Sequence, residues 1–370
     1  MAGLCTAASA QNTAMPQIEV VARNLEHPWA LTFIDNGRML VTERPGRLRL
    51  VQPDGALGPP IAGLPKVDTG GQGGLLDVVA DSDFAHNRTL YFCYSEPAGD
   101  GILGLDGTNS TALASAHLSS DAKRLEQVKV LFSQRPKVSS NAHFGCRIVE
   151  NTDGTLFLTL GERYSHMQDA QKLDNHLGKI VRLRKDGSVP PDNPFVGKSG
   201  ALPEIWSYGH RNVQGATLGP DGRLWSHEHG PQGGDEINRP EAGKNYGWPV
   251  ITYGDNYGGG KIGAGLRVKT GMEQPLHQWT PSIAPSGMAF LRSARYGKAW
   301  QGNLFIGSLK FHYLARQEWR NGKMVREERL LSDINQRIRD VREGPDGLLY
   351  LLTDESRGQL IRLLPARIAP

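Results

Sequence analysis

The sequence has no strong charge of either sign and no long apolar run. Among its 370 residues the formal net charge is only +4, and no stretch is dominated by Lys and Arg. A balance of this kind argues against a nucleic-acid-binding surface. No apolar stretch reaches the roughly 20 residues that a helix needs to cross a bilayer. We therefore expect a protein that neither binds nucleic acid nor spans a membrane.

Cysteine is also scarce. The three cysteines are Cys5, Cys93 and Cys146, and their spacing is not that of a metal site. If Cys5 leaves with an export signal, Cys93 and Cys146 can pair in an oxidising compartment. Two buried free thiols are the equal alternative.

The N-terminus resembles part of an export signal. Residues 8–10 read ASA, the small-x-small form of a signal-peptidase site, but a basic start and a full apolar segment do not precede them. We interpret residues 1–16 as the remnant of a signal, with a disordered tail as the alternative. Residues 17–370 are then one domain, and the export signal predicts a periplasmic or secreted protein.

Glycine and proline, by contrast, are abundant. The chain has 45 Gly and 23 Pro, and hydrophobic residues make up 38%. Both residues interrupt helices and favour tight turns, so many short strands are expected.

A turn followed by a strand recurs along the chain. Residues 346–353 read DGLLYLLT, residues 153–160 read DGTLFLTL and residues 36–42 read NGRMLVT. Weaker copies begin at positions 221 and 302, and residues 75–96 are rich in strand formers. Asp-Gly between apolar runs is a strong hairpin signal because Gly accepts the positive φ of a type I′ turn.

Repeats of roughly 40 to 50 residues, each holding a small antiparallel sheet, are typical of a β-propeller. We therefore predict an all-β fold, a six-bladed β-propeller of four-stranded antiparallel blades. A pair of β-sandwiches is the alternative, but it needs no such regular copies. Loops at one end of propeller blades surround the central channel, so the non-repeating residues 68–77, 139–146 and 206–248 should meet there.

These loops hold planar and basic side chains. Arg211 and Asn212 lie between glycines, where a backbone can closely approach a planar ligand, and the arginine fork matches carboxylates. Gln72 is embedded in four glycines, and His143 precedes a strand at the expected channel mouth, where it could act as a general base. For each of these residues a purely structural role in a polar loop is the alternative.

Two further features point to ions. Arg337 and Arg339 alternate with strand period and point the same way, which favours an anion, or carboxylates such as Asp340 and Glu343, opposite them. Lys310 ends another strand and could join the same anion site. Residues 227–238 (HEHGPQGGDEIN) are rich in acids, glycines and carbonyls without a third nitrogen ligand, so they suit Ca²⁺ better than zinc, or else simply cap turns.

Taken together, these motifs resemble those of the soluble quinoprotein aldose sugar dehydrogenases, relatives of soluble glucose dehydrogenase. The matching stretches are residues 71–77 (GQGGLLD), 143–145 (HFG), 209–215 (GHRNVQG), 228–231 (EHGP), 234–238 (GDEIN) and 244–249 (KNYGWP). The resemblance runs from about Glu19 to Leu364. It implies a six-bladed propeller that uses pyrroloquinoline quinone (PQQ) and Ca²⁺ to oxidise aldoses to lactones and passes electrons to an external acceptor. We expect a monomer or weak dimer.

The resemblance also implies roles for individual residues. His143 matches the general base that takes the proton of the anomeric hydroxyl, and Arg211 would stabilise charge on the reduced quinone. The positions that match PQQ contacts are Gln72, Arg211, Asn212, Lys310, Arg337 and Arg339, with Tyr257 beside the cofactor. The carbonyls of Gly230 and Pro231 match ligands of the Ca²⁺ at the cofactor, and Glu236 and Tyr246 match a second, structural calcium site.

Some positions depart from the family pattern. Ala142 stands where relatives of glucose dehydrogenase have an acid, so nothing adjacent in sequence orients the His143 imidazole. Cys146 replaces a usual Gly, and Thr280 and Ser282 replace larger or differently placed groups, which predicts a broad aldose range.

Two other functions are compatible with a propeller. A calcium-dependent lactonase or esterase would need no cationic cluster. A non-catalytic glycan- or protein-binding propeller would need no base beside a cofactor set.

Overall fold

The computed structural model describes residues 15–99 and 107–366. Within these residues, 24 strands form six four-stranded antiparallel sheets, which confirms the six-bladed propeller. Cys5 and the ASA stretch at residues 8–10 lie outside the described residues.

Blade 6 joins the first and the last of the described strands. Strand β1 (Gln17–Leu25) pairs with the last strand, β24 (Gly358–Leu364), and completes the outer edge of that blade. This pairing closes the ring of sheets.

Blades 1 to 3 follow one another along the chain, four strands each. Their strands are β2 (Pro28–Phe33), β3 (Met39–Glu43), β4 (Arg47–Val51), β5 (Leu57–Pro60), β6 (Leu75–Ala80), β7 (Thr89–Pro97), β8 (Asn109–Leu118), β9 (Leu125–Ser133), β10 (Gly145–Glu150), β11 (Thr155–Leu160), β12 (Lys179–Arg184) and β13 (Ile205–Tyr208).

Blades 4 to 6 repeat the arrangement. Their remaining strands are β14 (Val213–Leu218), β15 (Leu224–Glu228), β16 (Asp235–Asn238), β17 (His277–Trp279), β18 (Pro285–Phe290), β19 (Leu304–Ser308), β20 (Leu314–Arg320), β21 (Lys323–Leu330), β22 (Ile338–Glu343) and β23 (Leu349–Thr353).

Helical structure is minor in the described residues. It consists of one short α-helix, α1 (Phe84–Asn87), and 3-10 turns at Asp35–Gly37, Met167–Gln171 and Ser332–Ile334. In the part of the chain that the structure describes, no helix is long and apolar enough to cross a membrane.

The core lies between neighbouring sheets. The innermost strands β2, β6, β10, β14, β18 and β22 contact one another in sequence around the ring, and β22 contacts β2. Central strands such as β11 are buried along their whole length because sheets cover both faces. Cys93 of β7 and Cys146 of β10 form a disulfide between blades 2 and 3, so the pairing alternative is the correct one.

The hairpin turns differ in one detail from the sequence prediction. Asn36 and Gly37 both have positive φ, as a type I′ turn requires. At Asp153-Gly154, Asp221-Gly222 and Asp346-Gly347 only the glycine does. These turns are therefore type I turns ending in a left-handed glycine, and the type I′ prediction was wrong for them.

Candidate active site

Antiparallel pairing brings one set of loop residues to the same face of the ring. In each blade the first strand runs away from this face and the second strand returns to it. Residues just before a first strand, such as Gln72, Asn212 and Arg337, therefore meet residues just after a second strand, such as Arg44 and Lys310. All five line one cavity at the centre.

This cavity has a volume of about 610 Å³. It collects most of the side chains singled out from the sequence. Those that line it are Gln72, Asn212, Gly230, Pro231, Tyr257, Lys310, Arg337 and Arg339. His143, Arg211, Glu236 and Tyr246 do not line it, but Phe144 and Gly145 beside His143 do.

The cavity wall is strongly cationic. Arg44, Lys310, Arg337 and Arg339 face a single acidic side chain, Asp354. Asp354 Oδ2 lies 2.6 Å from Arg339 Nη2 and 3.4 Å from Arg337 Nη2. Burial alone would raise the pKa of Asp354, but the charge and hydrogen bond of Arg339 outweigh it and hold the pKa below its usual range.

Because only one carboxylate faces these four cationic side chains, the cluster has an excess of positive charge. Burial lowers the pKa of Arg44; the charge of Asp354 opposes this shift, and the charges of Arg339 and Arg337 add to it. The buried Nε atoms of Arg339 and Arg211 have no hydrogen-bond partner among the described residues. Unsatisfied buried donors next to excess cations fit a polyanionic ligand.

Asp340 and Glu343, the acids expected to pair with Arg337 and Arg339, have other partners. Asp340 pairs with Arg147 and Arg342, at 3.0 Å in both cases. The Glu343 carboxylate accepts hydrogen bonds from the backbone of residues 292 and 293. Asp354, which follows a different strand, takes the role that the sequence assigned to Asp340 and Glu343.

A buried charge network forms the floor of the cavity. Arg147 is 2% exposed and lies 3.3 Å from Asp77 and 3.0 Å from Asp340. Its guanidinium packs over the ring of Trp29, which lines the cavity. Arg147 Nη2 also donates to the carbonyl of Arg339, so the network supports the cationic wall from below.

Two hydrogen bonds hold His143, one at its imidazole ring and one at its backbone N–H. Its Nδ1 lies 3.0 Å from Glu162 Oε1, and its backbone N–H donates to Gln72 Oε1 at 2.9 Å. His143 has a φ of +53°, a conformation that non-glycine residues rarely adopt. Gly161 allows it, because a Cβ at that position would lie only 1.9 Å from the His143 carbonyl oxygen.

The electrostatic surroundings of His143 favour a neutral imidazole. Burial lowers its pKa below the ordinary value of 6.5, while Glu162 opposes this and Arg211 adds to it. A neutral ring whose Nδ1 proton is donated to a carboxylate keeps its Nε2 lone pair for accepting a proton. Glu162 thus supplies the orienting acid that Ala142 does not.

A smaller cavity adjoins the first one through His229 and Gly230. It is lined by Arg211, Glu236 and Tyr246, together with Glu228. Arg211 Nη1 donates to the carbonyl of Gly230 at 2.8 Å, and its guanidinium lies over Trp248. Burial and the nearby Glu228 carboxylate raise the pKa of Glu236 well above its ordinary value.

The loop between the two cavities brings carbonyl oxygens close together. A Cβ on Gly230 would lie 2.2 Å from Gly233 O and 2.3 Å from Gly234 O. In the described residues no group of three or more His, Cys, Asp or Glu side chains is arranged to hold a metal ion. A cation here would therefore rely on carbonyl oxygens, which suit Ca²⁺.

Sequence reasoning missed three residues of the site: Arg44, Glu162 and Asp354. Each comes one or two residues after the end of a second strand, namely β3, β11 and β23. Lys310 occupies the equivalent place after β19. This repeated position was the available signal, and it becomes visible once the blades are aligned.

A family model and a curated relative both match this chain over most of its length. The family model described as Glucose / Sorbosone dehydrogenase matches residues 25–362. The aldose sugar dehydrogenase YliI of Escherichia coli is 48% identical over 351 residues, which cover 94% of this chain and 92% of that protein.

Two solved structures share the whole architecture. The crystal structure of the soluble aldose sugar dehydrogenase from E. coli, in its apo-form, has a TM-score of 0.90 and 47% identity, covering 95% of this chain and 100% of that one. The PQQ-bound aldose sugar dehydrogenase from Streptomyces coelicolor has a TM-score of 0.75 and 25% identity, covering 95% and 99%.

Proposed function

This chain belongs to the glucose/sorbosone dehydrogenase family, and from that premise we propose that it oxidises the anomeric hydroxyl of aldose sugars to lactones by hydride transfer to PQQ. The chain is an enzyme of the sugar dehydrogenase kind. In this proposal the electrons pass on to an external acceptor, and the enzyme works in the bacterial periplasm or outside the cell. The disulfide between Cys93 and Cys146 supports an oxidising compartment.

The cavity is suited to PQQ by its charge. PQQ is a planar tricarboxylate, and four cationic side chains facing one carboxylate suit it. Lys310, Arg337 and Arg339 would hold its carboxylates. Gln72 and Asn212 would contact its polar edge and Tyr257 would lie beside it. Arg44 lines the same wall and joins this set.

Calcium completes the proposed cofactor set. The carbonyls of Gly230 and Pro231, two residues that line the large cavity, would bind one Ca²⁺ beside the cofactor. Glu236 and Tyr246 would contribute to a second, structural Ca²⁺, which would neutralise the buried acids Glu236 and Glu228. When bound, PQQ polarised by Ca²⁺ supplies the hydride acceptor that no side chain can provide.

The residues of the chain perform the proton chemistry. His143 takes the proton of the anomeric hydroxyl at Nε2, because Glu162 holds Nδ1 and burial keeps the ring neutral near pH 7. Arg211, anchored on the carbonyls of His229 and Gly230, supplies positive charge where negative charge develops. The single observation that carries the proposal is this His143–Glu162 pair beside a cationic cavity.

Reconstitution tests the proposal directly. Adding PQQ and Ca²⁺ to the purified protein should produce dye reduction that depends on an aldose and is lost with a chelator. The His143→Ala variant should lose turnover and keep PQQ binding. Absence of sugar-dependent dye reduction and of any spectral change on adding PQQ would refute the cofactor assignment. An unchanged kcat in His143→Ala would refute the base.

The remaining parts of the proposal concern the ends and the assembly of the chain. We also propose that residues 17–370 form one catalytic domain and that residues 1–16 are the remnant of an export signal. The protein is proposed to be a monomer or weak dimer.

A further inference from the structure

An exposed tyrosine lies directly against the imidazole of His143. The ring centroids of Tyr164 and His143 are 5.2 Å apart and their planes meet at 75°, an edge-to-face contact. Tyr164 is 54% exposed, whereas His143 is 5% exposed. Tyr164 therefore stands between the proposed base and solvent.

The backbone that presents Tyr164 is strained. Arg163 and Tyr164 have φ values of +65° and +67°, two consecutive non-glycine residues in the left-handed region. Such a conformation is energetically costly and persists only where its surroundings enforce it. Strain of this kind concentrates at functional sites.

Arg163 is the side chain that enforces the conformation. It is fully buried, and its guanidinium donates to the carbonyls of Ser140, Ala142 and Asn109 and packs over the Phe144 ring. Its backbone carbonyl accepts a hydrogen bond from the Ser140 hydroxyl at 2.8 Å. Arg163 thus locks the His143 loop to the turn that carries Tyr164, and it fixes Tyr164 facing outward.

A structural role does not account for Tyr164. A tyrosine that serves packing buries its ring and gives its hydroxyl a partner. Tyr164 leaves about half of its surface exposed, and its hydroxyl has no hydrogen bond among the described residues. The side chain has an apolar surface, a fixed direction and a position next to the reacting group.

We propose that Tyr164 is a stacking platform for the pyranose ring of the sugar substrate. This inference rests on the proposed function. A pyranose has C–H faces between polar edges, and an aromatic ring binds such a face by apolar contact. The contact orients the sugar while its anomeric hydroxyl lies at Nε2 of His143. Because it does not read individual hydroxyl groups, it admits a range of aldoses.

The test compares Tyr164→Ala and Tyr164→Phe in the full chain reconstituted with PQQ and Ca²⁺. Val325→Ala serves as control, because Val325 is 51% exposed on the outer strand β21. An aromatic contact of this kind contributes up to about 1.5 kcal/mol, so the KM for glucose and for xylose should rise by up to about tenfold in Tyr164→Ala. The kcat should stay within about twofold, since the contact is made in both ground and transition states. Tyr164→Phe and Val325→Ala should match the parent enzyme.

A second measurement does not depend on turnover. Methyl β-D-glucopyranoside cannot be oxidised at its blocked anomeric oxygen, so its binding can be followed by saturation-transfer NMR. Transfer to its ring protons should be strong with the parent protein and weak with Tyr164→Ala.

Three results would overturn the inference. One is an unchanged KM in Tyr164→Ala together with a lower kcat and a shifted pH profile, which would make Tyr164 a positioning residue for His143. Another is a raised KM in Tyr164→Phe, which would indicate a hydroxyl contact instead of stacking. The third is unchanged saturation transfer in Tyr164→Ala. A parent protein without sugar-dependent dye reduction would instead refute the proposed function, and the NMR comparison would still decide the role of Tyr164.

Discussion

Replacing Glu162 with glutamine tests how the proposed base is oriented. Glu162 Oε1 accepts the Nδ1 proton of His143 at 3.0 Å, while Oε2 is buried without a hydrogen-bond partner among the described residues. A glutamine can place its amide nitrogen at either position. At the first it donates to Nδ1 and moves the ring proton to Nε2, where the base needs a lone pair. At the second it leaves a buried donor unsatisfied.

The size of the effect follows from these contacts. A hydrogen bond to a charged group contributes roughly 1.5 to 3 kcal/mol, which corresponds to a rate factor of about 10 to 150. In serine-protease triads, where the acid also fixes the tautomer of a catalytic histidine, an Asp→Asn change lowers kcat by about 10⁴. We therefore expect Glu162→Gln to lower kcat by at least about 100-fold, within the usual range for general base catalysis.

The pH profile of kcat/KM should shift in a direction that the pKa of His143 determines. The active imidazole is neutral, so kcat/KM rises as pH increases through the pKa of His143. Burial lowers this pKa, and Glu162 raises it. Losing the Glu162 charge lowers it further, so the acid limb of kcat/KM should move to lower pH.

The assay is steady-state dye reduction from pH 4 to 9 with the reconstituted enzyme, alongside titration of PQQ binding. Glu204→Gln is the matched control, because Glu204 pairs at 3.5 Å with the buried His176, and neither residue lines the two cavities. The control should keep its rate and its profile, and PQQ affinity should be unchanged in both variants. An unchanged kcat in Glu162→Gln, or an acid limb that moves to higher pH, would refute the assigned orientation of His143.

Three further predictions concern the proposed cofactor wall, the proposed second calcium site and the disulfide. Replacing Arg337 and Arg339 together with alanine should weaken PQQ binding to the cofactor-free protein by about 100-fold or more, because two charge-assisted contacts are lost. Fluorescence titration checks this against the exposed Arg320→Ala, and equal affinities would contradict it. Added Ca²⁺ should raise the melting temperature of the parent protein, and Glu236→Gln should reduce the rise. A full rise in that variant would exclude Glu236 as a ligand. Replacing Cys93 and Cys146 with alanine should lower the free energy of unfolding by about 4 kcal/mol, since the bond closes a loop with a sequence separation of 53. An unchanged urea midpoint would contradict this estimate.

The fold could be derived from the sequence because its signals are local. Each hairpin depends on a glycine in a tight turn and on alternating apolar residues beside it, as at residues 153–160 and 346–353. The same pattern recurs along the chain. The number of blades and the face that carries the long loops could therefore both be derived from it. The motifs around Gln72, Arg211 and Lys310 were recognisable in the same way, and the cavity contains or adjoins them.

The partners of His143, Arg337 and Arg339 were not derivable, because they follow the next strand of the same blade, 15 to 19 residues further along the chain. Glu162, just after β11, orients His143, just before β10. Asp354, just after β23, pairs with Arg337 and Arg339 in place of Asp340. Sequence proximity favoured Ala142 and Asp340, but antiparallel strands place neighbours in the chain at different depths of the channel. Only closure of the ring brings together residues that follow the second strand of different blades.

The sequence by itself determined the repeating unit, the kinds of side chain at the site and the family, since each is written within a few consecutive residues. The tertiary structure alone decided the charge balance of the cavity, the pairing of Cys93 with Cys146 and the exposure of Tyr164. These depend on distances and burial across blades, and electrostatic energies and pKa values follow from distance and burial rather than from order along the chain.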